Sequence, residues 1–375
     1  MNDTDFRLDV IRGQVVPKKH NARTIAALTS NPGCARRAVL DASSVDKQAL
    51  AEHIGYPAPF GISPFGLARG NAFEAYVKAN GCAELLRLLR ERLGLPLPEV
   101  AYDDLNSVAG HETLEARHLR SRQLLARAAR SGEDSGTLFD HPLLRMTIAG
   151  REVYLEPDLV AFRLRDQFHV VEIKSFPIID GRADPSKVAA AATQSAVYVL
   201  ALRRLLQQLG VDPAMVSHEV FLVCPEDFSN RPTAARIDVR KQLTVLERQL
   251  ARIADVATVV STLPVGFTLD LRFDDGGVAT RAVGELCEAL ELVPARYAPE
   301  CLAACEMAFF CRSGACGHTA ALGRSVQEDL GGIETVTAAI GLASGVIPPG
   351  EHEREAAEVL RMADLLRHQC LNGAA

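Results

Sequence analysis

A mixed α/β (α+β) fold, a small mixed sheet flanked by helices, is the class this sequence predicts, and three observations carry the expectation. Residues 143–175 concentrate β-branched and aromatic side chains in short runs. Amphipathic helical patterns bracket that stretch, at 68–93 and 111–130 before it and at about 186–209 after it. His218–Cys224 (His-Glu-Val-Phe-Leu-Val-Cys) then reads as a further buried strand between helices. No internal repeat and no low-complexity tract occurs, so a layered core is expected rather than a solenoid or a bundle.

Each element follows in order. Ser30-Asn-Pro-Gly-Cys34-Ala-Arg-Arg-Ala-Val-Leu40 reads as a turn leading into a helix, and Gly61-Ile-Ser-Pro-Phe-Gly66 as a loop. Ala72-Phe-Glu-Ala-Tyr-Val-Lys78 and Ala83-Glu-Leu-Leu-Arg-Leu-Leu-Arg90 carry helix-favouring residues, and Ser131-Gly-Glu-Asp-Ser-Gly136 breaks the helix before it. Pro177–Pro185 is rich in turn residues and leads into a helix over Ser186–Leu209. A helix is expected over Ala234–Val260, an aromatic- and Cys-rich segment over Pro294–Gly317, and helices with Gly/Pro interruptions over 325–372. The chain therefore divides into an N-terminal segment 1–66, a core 67–293 with a helical insert at about 80–135, a cysteine segment 294–317 and a helical tail 318–375.

With 375 residues and 48% apolar content, the chain can bury a sizeable core. Its first residues are charged and lack an apolar run, which is not a secretory leader. The longest uncharged apolar stretches, Val188–Leu202 and Thr335–Val346, are shorter than the roughly 20 residues a membrane span needs. A cytoplasmic protein with no membrane partner is expected. Net charge is −6, so any contact with a polyanion must come from local gathering of basic residues. Arg117, Arg120, Arg122, Arg127 and Arg130 fall together on one helical stretch, as a basic surface or an ordinary solvated helix face. Nine cysteines in such a chain argue against a disulfide scaffold, and Cys82, Cys224, Cys287 and Cys370 read as small apolar residues.

The chemistry concentrates between Pro157 and Lys174. Tyr154-Leu-Glu-Pro-Asp-Leu-Val-Ala-Phe162 and Phe168-His-Val-Val-Glu-Ile-Lys174, separated by Arg163–Gln167, read as a hairpin. Side chains alternate along a strand, so Glu172 and Lys174 point to one face with Phe168 and Val170. Two carboxylates, Asp158 and Glu172, converging with one amine suit a hard divalent cation, with the Ile173 carbonyl as a further oxygen ligand. Lys174 would lower the pKa of an attacking water or offset charge building on a phosphate, so the pattern points to metal-dependent phosphodiester hydrolysis, although taken alone a surface hairpin with a salt bridge shows the same residues. Gln194 and Tyr198 lie four apart on the helix that follows and share one of its faces. Cys301, Cys305, Cys311 and Cys316, spaced Cys-x3-Cys-x5-Cys-x4-Cys, have the density of a zinc or iron–sulfur site, without the regular gaps of paired zinc knuckles.

Taken together, the order Cys34, Gly70-Asn-Ala-Phe-Glu74, Pro157-Asp158, Glu172-Ile-Lys174, Gln194-x3-Tyr198 and a C-terminal cysteine cluster resembles the PD-(D/E)xK nuclease superfamily. More narrowly it is similar to the RecB-type branch with an iron–sulfur staple, as in the CRISPR-adaptation nucleases and the AddB nuclease domain. The likeness covers roughly residues 28–312. It implies a restriction-endonuclease-like core with Asp158, Glu172 and Lys174 as the catalytic set, and with Gln194 and Tyr198 ordering the site and contacting DNA. It also implies a 4Fe–4S cluster on Cys34, Cys301, Cys305 and Cys311, with Cys316 as the reserve ligand and a zinc-stapled version of the fold left open. Such a cluster would tie the chain across about 265 residues, a closure whose entropic cost grows only logarithmically.

In many RecB-type members a metal-binding His stands where this sequence has Phe73, so Glu74 is the ligand expected from the first helix, beside Asp158, Glu172 and Ile173. The expected activity is Mg²⁺- or Mn²⁺-dependent hydrolysis of single-stranded or end-containing DNA, in repair, CRISPR or phage defence. No Gly-x4-Gly-Lys-Ser/Thr occurs, so unwinding would fall to a helicase or defence-system partner. With 5% aromatic residues and no Trp, DNA contacts would run mainly through phosphates. The alternative expectation is a nucleic-acid- or partner-binding subunit with weak or lost cleavage.

Overall fold

Short apolar runs pair into one six-stranded mixed sheet. Its strands are β1 (Val100–Asp104), β2 (Gly136–Asp140), β5 (Leu159–Leu164), β6 (Gln167–Ile173), β7 (Glu219–Pro225) and β8 (Pro232–Asp238), adjacent in that order. The pairs β1–β2 and β6–β7 are parallel and the others antiparallel. A separate hairpin joins β3 (Leu144–Ile148) to β4 (Arg151–Leu155). The computed structural model describes residues 3–18, 21–28, 31, 33–58, 64–93, 100–105, 113–130, 136–148, 151–164, 167–227, 229–253 and 256–372.

The chain forms two units. Lys18–Thr29 and Gly61–Ala257 make the sheet unit, while Met1–Pro17, Ser30–Phe60 and Thr258–Ala375 make the second. Most of the N-terminal segment, the cysteine segment and the tail, separate stretches in the sequence, thus belong to one unit. Within it, the Arg36 N–H donates to the Pro294 carbonyl at 2.9 Å.

The hairpin read from 154–174 forms in register: Leu159 faces Val171, and Val160 faces Val170. Phe168, Val170 and Val160 enter one core cluster with Ala196, Val197 and Leu205 of the helix Pro185–Gln208. Leu159, Val171 and Ile173 enter another cluster with Phe73, Val77 and Leu85 of the helix Pro64–Leu93. β6 is therefore buried on both faces, which explains its nearly continuous apolar run. The helix Pro185–Gln208 starts sharply because the Asp184 side chain accepts from the N–H groups of Ser186 and Lys187, with proline at its first position.

Three elements differ from the sequence expectation. β1 lies inside the stretch expected as a helical insert, held by parallel pairing along all of β2. β8 occupies the start of the helix expected from Ala234, because a seven-residue ladder with β7 overrides the helix preference of Ala234-Ala-Arg. The helix begins only at Arg240, whose N–H is accepted by the Asp238 side chain at 2.9 Å. The helix Pro64–Leu93 is broken at Ala79–Cys82, where Asn80, Gly81 and Cys82 take positive φ.

The arginine-rich helix Leu114–Arg130 is no uniform basic face. Arg117 is buried and pairs with Glu156 at 2.5 Å, and Arg120 donates to the Leu105 carbonyl at 3.0 Å. Arg127 and Arg130 are exposed. Among the described residues, no helix is long and apolar enough to cross a membrane.

Candidate functional site

The β5–β6 register continues past Leu159 and Val171, and so sets Asp158 beside Glu172 at one end of the hairpin. Asp158 shares the face of Val160, and Glu172 the face of Phe168 and Val170, which pack toward the helix Pro185–Gln208. Asp158 Oδ2 accepts the Ile173 N–H at 2.7 Å. In a strand the N–H and C=O of one residue point to the same side, so the Ile173 carbonyl opens toward Asp158 as well. The Lys174 N–H points the other way, to the Val223 carbonyl at 2.9 Å.

Glu172 is completely buried. Its Oε1 is ion-paired with Lys174 Nζ, and its Oε2 meets no hydrogen-bond donor among the described residues. Burial and then the neighbouring Asp158 push its carboxyl up to about 8, against the pull of Lys174. Asp158 is raised as well, first by burial, with Glu74 adding to the shift and Lys174 opposing it. The Lys174 ammonium is held above its ordinary range, because Glu172 and Asp158 outweigh the burial that opposes them. Two crowded carboxyls and one ammonium carry too little positive charge for both acids to ionise.

Beside this trio stands a second group. Glu74, half-buried on the first half of the broken helix, accepts from Lys78 at 2.5 Å and lies 3.2 Å from His141 Nε2. Lys78 Nζ also lies 2.7 Å from Asp140 Oδ1 and donates to the Asp158 carbonyl at 3.0 Å. His141 Nδ1 is 2.8 Å from Asp140 Oδ1, and Tyr102 hydroxyl donates to Asp140 Oδ2. The His141 hydrogen bond, with Lys78 behind it, holds the Glu74 carboxyl down at about 2. Against the opposing effect of burial, His141, Lys78 and Tyr102 hold Asp140 at about 2, and the two carboxylates raise His141 to about 9. Asp104, Asp140 and His141 each bring a potential metal-ligating atom within 4.8 Å of the others. Phe73 is buried in the apolar cluster, so the helix carries no imidazole toward the site, and the ring near Glu74 comes from His141 at the end of β2.

Tyr198 is buried and accepts from Gln194 Nε2 at 3.2 Å, which leaves its own proton to donate. Burial, then Glu172 and Asp158, push its hydroxyl well above the ordinary range, so it stays protonated facing the acids. Thus Asp158, Glu172, Lys174, Ile173, Glu74, Gln194 and Tyr198 gather in one unit. Lys78, Asp140 and His141 escaped the sequence reading. Lys78 had a visible signal, its i,i+4 spacing from Glu74, whereas His141 becomes a neighbour only through the β2–β5 pairing.

The thiols lie in the second unit. Cys301 and Cys305 are buried, Cys34 and Cys311 half-buried, and Cys316 exposed. Burial raises the Cys311 thiol, with Cys34 and Cys301 acting in the same direction across a shared space and Arg36 opposing them. Asn31 Nδ2 donates to Cys301 Sγ at 3.1 Å, Arg36 to Cys311 Sγ at 3.3 Å, and the Met307 N–H to Cys305 Sγ. Burial pushes Cys305 up to about 12, although Arg37 and Lys47 lie near it. N–H donors aimed at sulfur fit thiolate ligands. Among the described residues no three sulfurs lie within 4.8 Å of one another, whereas one zinc ion draws its thiolates to about 4 Å apart.

The chain matches no family model, no curated protein and no solved structure.

Proposed function

We propose that this chain is a metal-dependent DNA nuclease of the PD-(D/E)xK type, with Asp158, Glu172 and Lys174 at its centre and an iron–sulfur cluster stapling its second unit. The observation that carries the reading is Glu172. A fully buried carboxyl, crowded by Asp158 and with one oxygen lacking a donor among the described residues, is a costly arrangement without a cation. Asp158 Oδ1, Glu172 Oε2 and the Ile173 carbonyl form an oxygen set suited to Mg²⁺ or Mn²⁺, with Glu74 as the outer candidate. When bound, such an ion supplies Lewis-acid polarisation of the phosphate and a more acidic water.

The chain's own groups do the rest. Lys174 brings its ammonium beside Glu172, where it offsets negative charge developing on a phosphate. Tyr198, its proton free and its oxygen held by Gln194, orients a substrate or water oxygen beside the acids. Asn31, Arg36 and the Met307 N–H would stabilise Cys301, Cys311 and Cys305 as cluster thiolates, with Cys34 as the fourth ligand.

The test is purified protein with labelled single-stranded and duplex DNA plus Mn²⁺. Cleavage should require the metal and vanish in Asp158→Ala and in Lys174→Ala; cleavage that persists in both variants refutes the reading. A brown protein with iron and broad absorbance in the blue supports the cluster, and a colourless protein carrying zinc refutes it.

One observation favours a second reading, a partner-binding subunit with weak cleavage. The helix Arg354–Asn372 exposes Val359, Met362, Leu365 and Leu366. Absence of metal-dependent cleavage together with a stable complex with a helicase or defence protein would select it.

A further inference from the structure

The group beside Asp158 and Glu172 is built around an ammonium. Lys78 Nζ has three protons to give, and three oxygens surround it: Glu74 Oε1 at 2.5 Å, Asp140 Oδ1 at 2.7 Å and the Asp158 carbonyl at 3.0 Å. The His141 ring adds a nitrogen at 3.3 Å. Only 9% of the Lys78 side chain is exposed. Two carboxylates and a backbone carbonyl are donor types that a second divalent ion would use, and the His141 ring would join them only after releasing a proton. Two-metal phosphodiesterases place their ions about 4 Å apart, and Lys78 touches the same Asp158 whose carboxylate serves the first site.

We propose that Lys78 is a resident cation standing where a second metal would otherwise bind, so that this site operates with a single divalent ion. The inference rests on the metal-dependent reading above. Lys78 is thus a positioning residue: its ammonium, together with the His141 ring, balances Glu74 and Asp140, and it anchors the Asp158 backbone at the mouth of β5. Its place in the sequence suits that task. It is the last residue before the break at Ala79–Cys82, so its side chain leaves the helix end and reaches across to the sheet.

The experiment is a count of bound Mn²⁺, by calorimetric titration and by manganese content after gel filtration, on the full chain. One ion should bind to the wild type and be lost in Asp158→Asn. Two should bind to Lys78→Ala, the second disappearing when Asp140→Asn is added. Two ions on the wild type, or one on a folded Lys78→Ala, would overturn the inference while leaving the metal-dependent reading intact. No ion on the wild type would overturn both. Should Lys78→Ala fail to fold, the wild-type count still decides between one ion and two.

Discussion

The acidic site and the thiol site both bury groups that can carry negative charge, yet they are provided for in opposite ways. At the acidic site Glu172 Oε2 meets no donor among the described residues, and burial raises both Glu172 and Asp158, with Asp158 adding to the first shift and Glu74 to the second. At the thiol site Cys301, Cys305 and Cys311 each receive an N–H donor, and burial leaves Cys305 and Cys311 protonated. On the proposed reading, the first arrangement would be relieved by a cation, whereas the second is tolerable as neutral thiols and would gain if the sulfurs were ionised and ligated. Frustration of this kind marks where chemistry is done, and satisfaction marks where structure is held.

The largest expected effect breaks the comparison along that line. Glu172→Gln should lower cleavage by about 10³-fold or more, as expected for removal of a group central to transition-state charge. Its metal-free thermal midpoint should hold, because the amide itself needs no counter-ion and Lys174 keeps Asp158 as its own. Cys301→Ala should do the reverse in kind: iron is lost, and the midpoint falls by about 10 °C or more, since a ligated cluster contributes directly to folding. Calorimetry of both variants beside the nuclease assay checks the pair. A Glu172→Gln protein that is destabilised yet active would invert the assignment.

A smaller effect follows from pH. The Glu172 carboxyl, ordinarily near 4.5, sits at about 8 in the fold, so the neutral form is the one folding favours. Stability from this group is fully present below 4.5 and is lost as pH climbs through about 8. A divalent ion selects the ionised form and must displace the proton. The Mn²⁺-induced rise in thermal midpoint should therefore grow between about pH 5 and pH 8, as the metal's stabilisation increases by an amount on the order of a few kcal/mol. In Glu172→Gln the growth should shrink to the part that Asp158 contributes.

The same contrast explains what was legible in the sequence. Local patterns carry local geometry: the β-branched runs around Asp158 and Glu172 gave the hairpin, and i,i+4 spacing gave the Gln194–Tyr198 hydrogen bond. The helical reading failed at 234–238 because the ladder to β7 is a long-range partner that local propensity does not contain. His141 and Asp140 were invisible for the same reason, since only the β2–β5 pairing brings them to Glu74 and Lys78. The arginines of 117–130 read equally as a basic surface or a solvated helix face, and composition does not show that Arg117 is spent on Glu156 inside the fold.

The smallest effect sharpens the thiol half. Asn31 Nδ2 donates to Cys301 Sγ at 3.1 Å from within the same unit. A hydrogen bond to a neutral thiol is weak, whereas one to a thiolate is charge-assisted and roughly twice as strong as a neutral pair. Asn31→Ala should therefore cost about 1 kcal/mol more in the iron-loaded protein than in the iron-free protein, a difference of about 2–4 °C in midpoint. The two melts, run on one preparation before and after removal of iron, give the comparison directly. Equal losses in both states would mean that Asn31 serves only its other acceptor, the Arg296 carbonyl, and that Cys301 is not ionised when the protein is loaded.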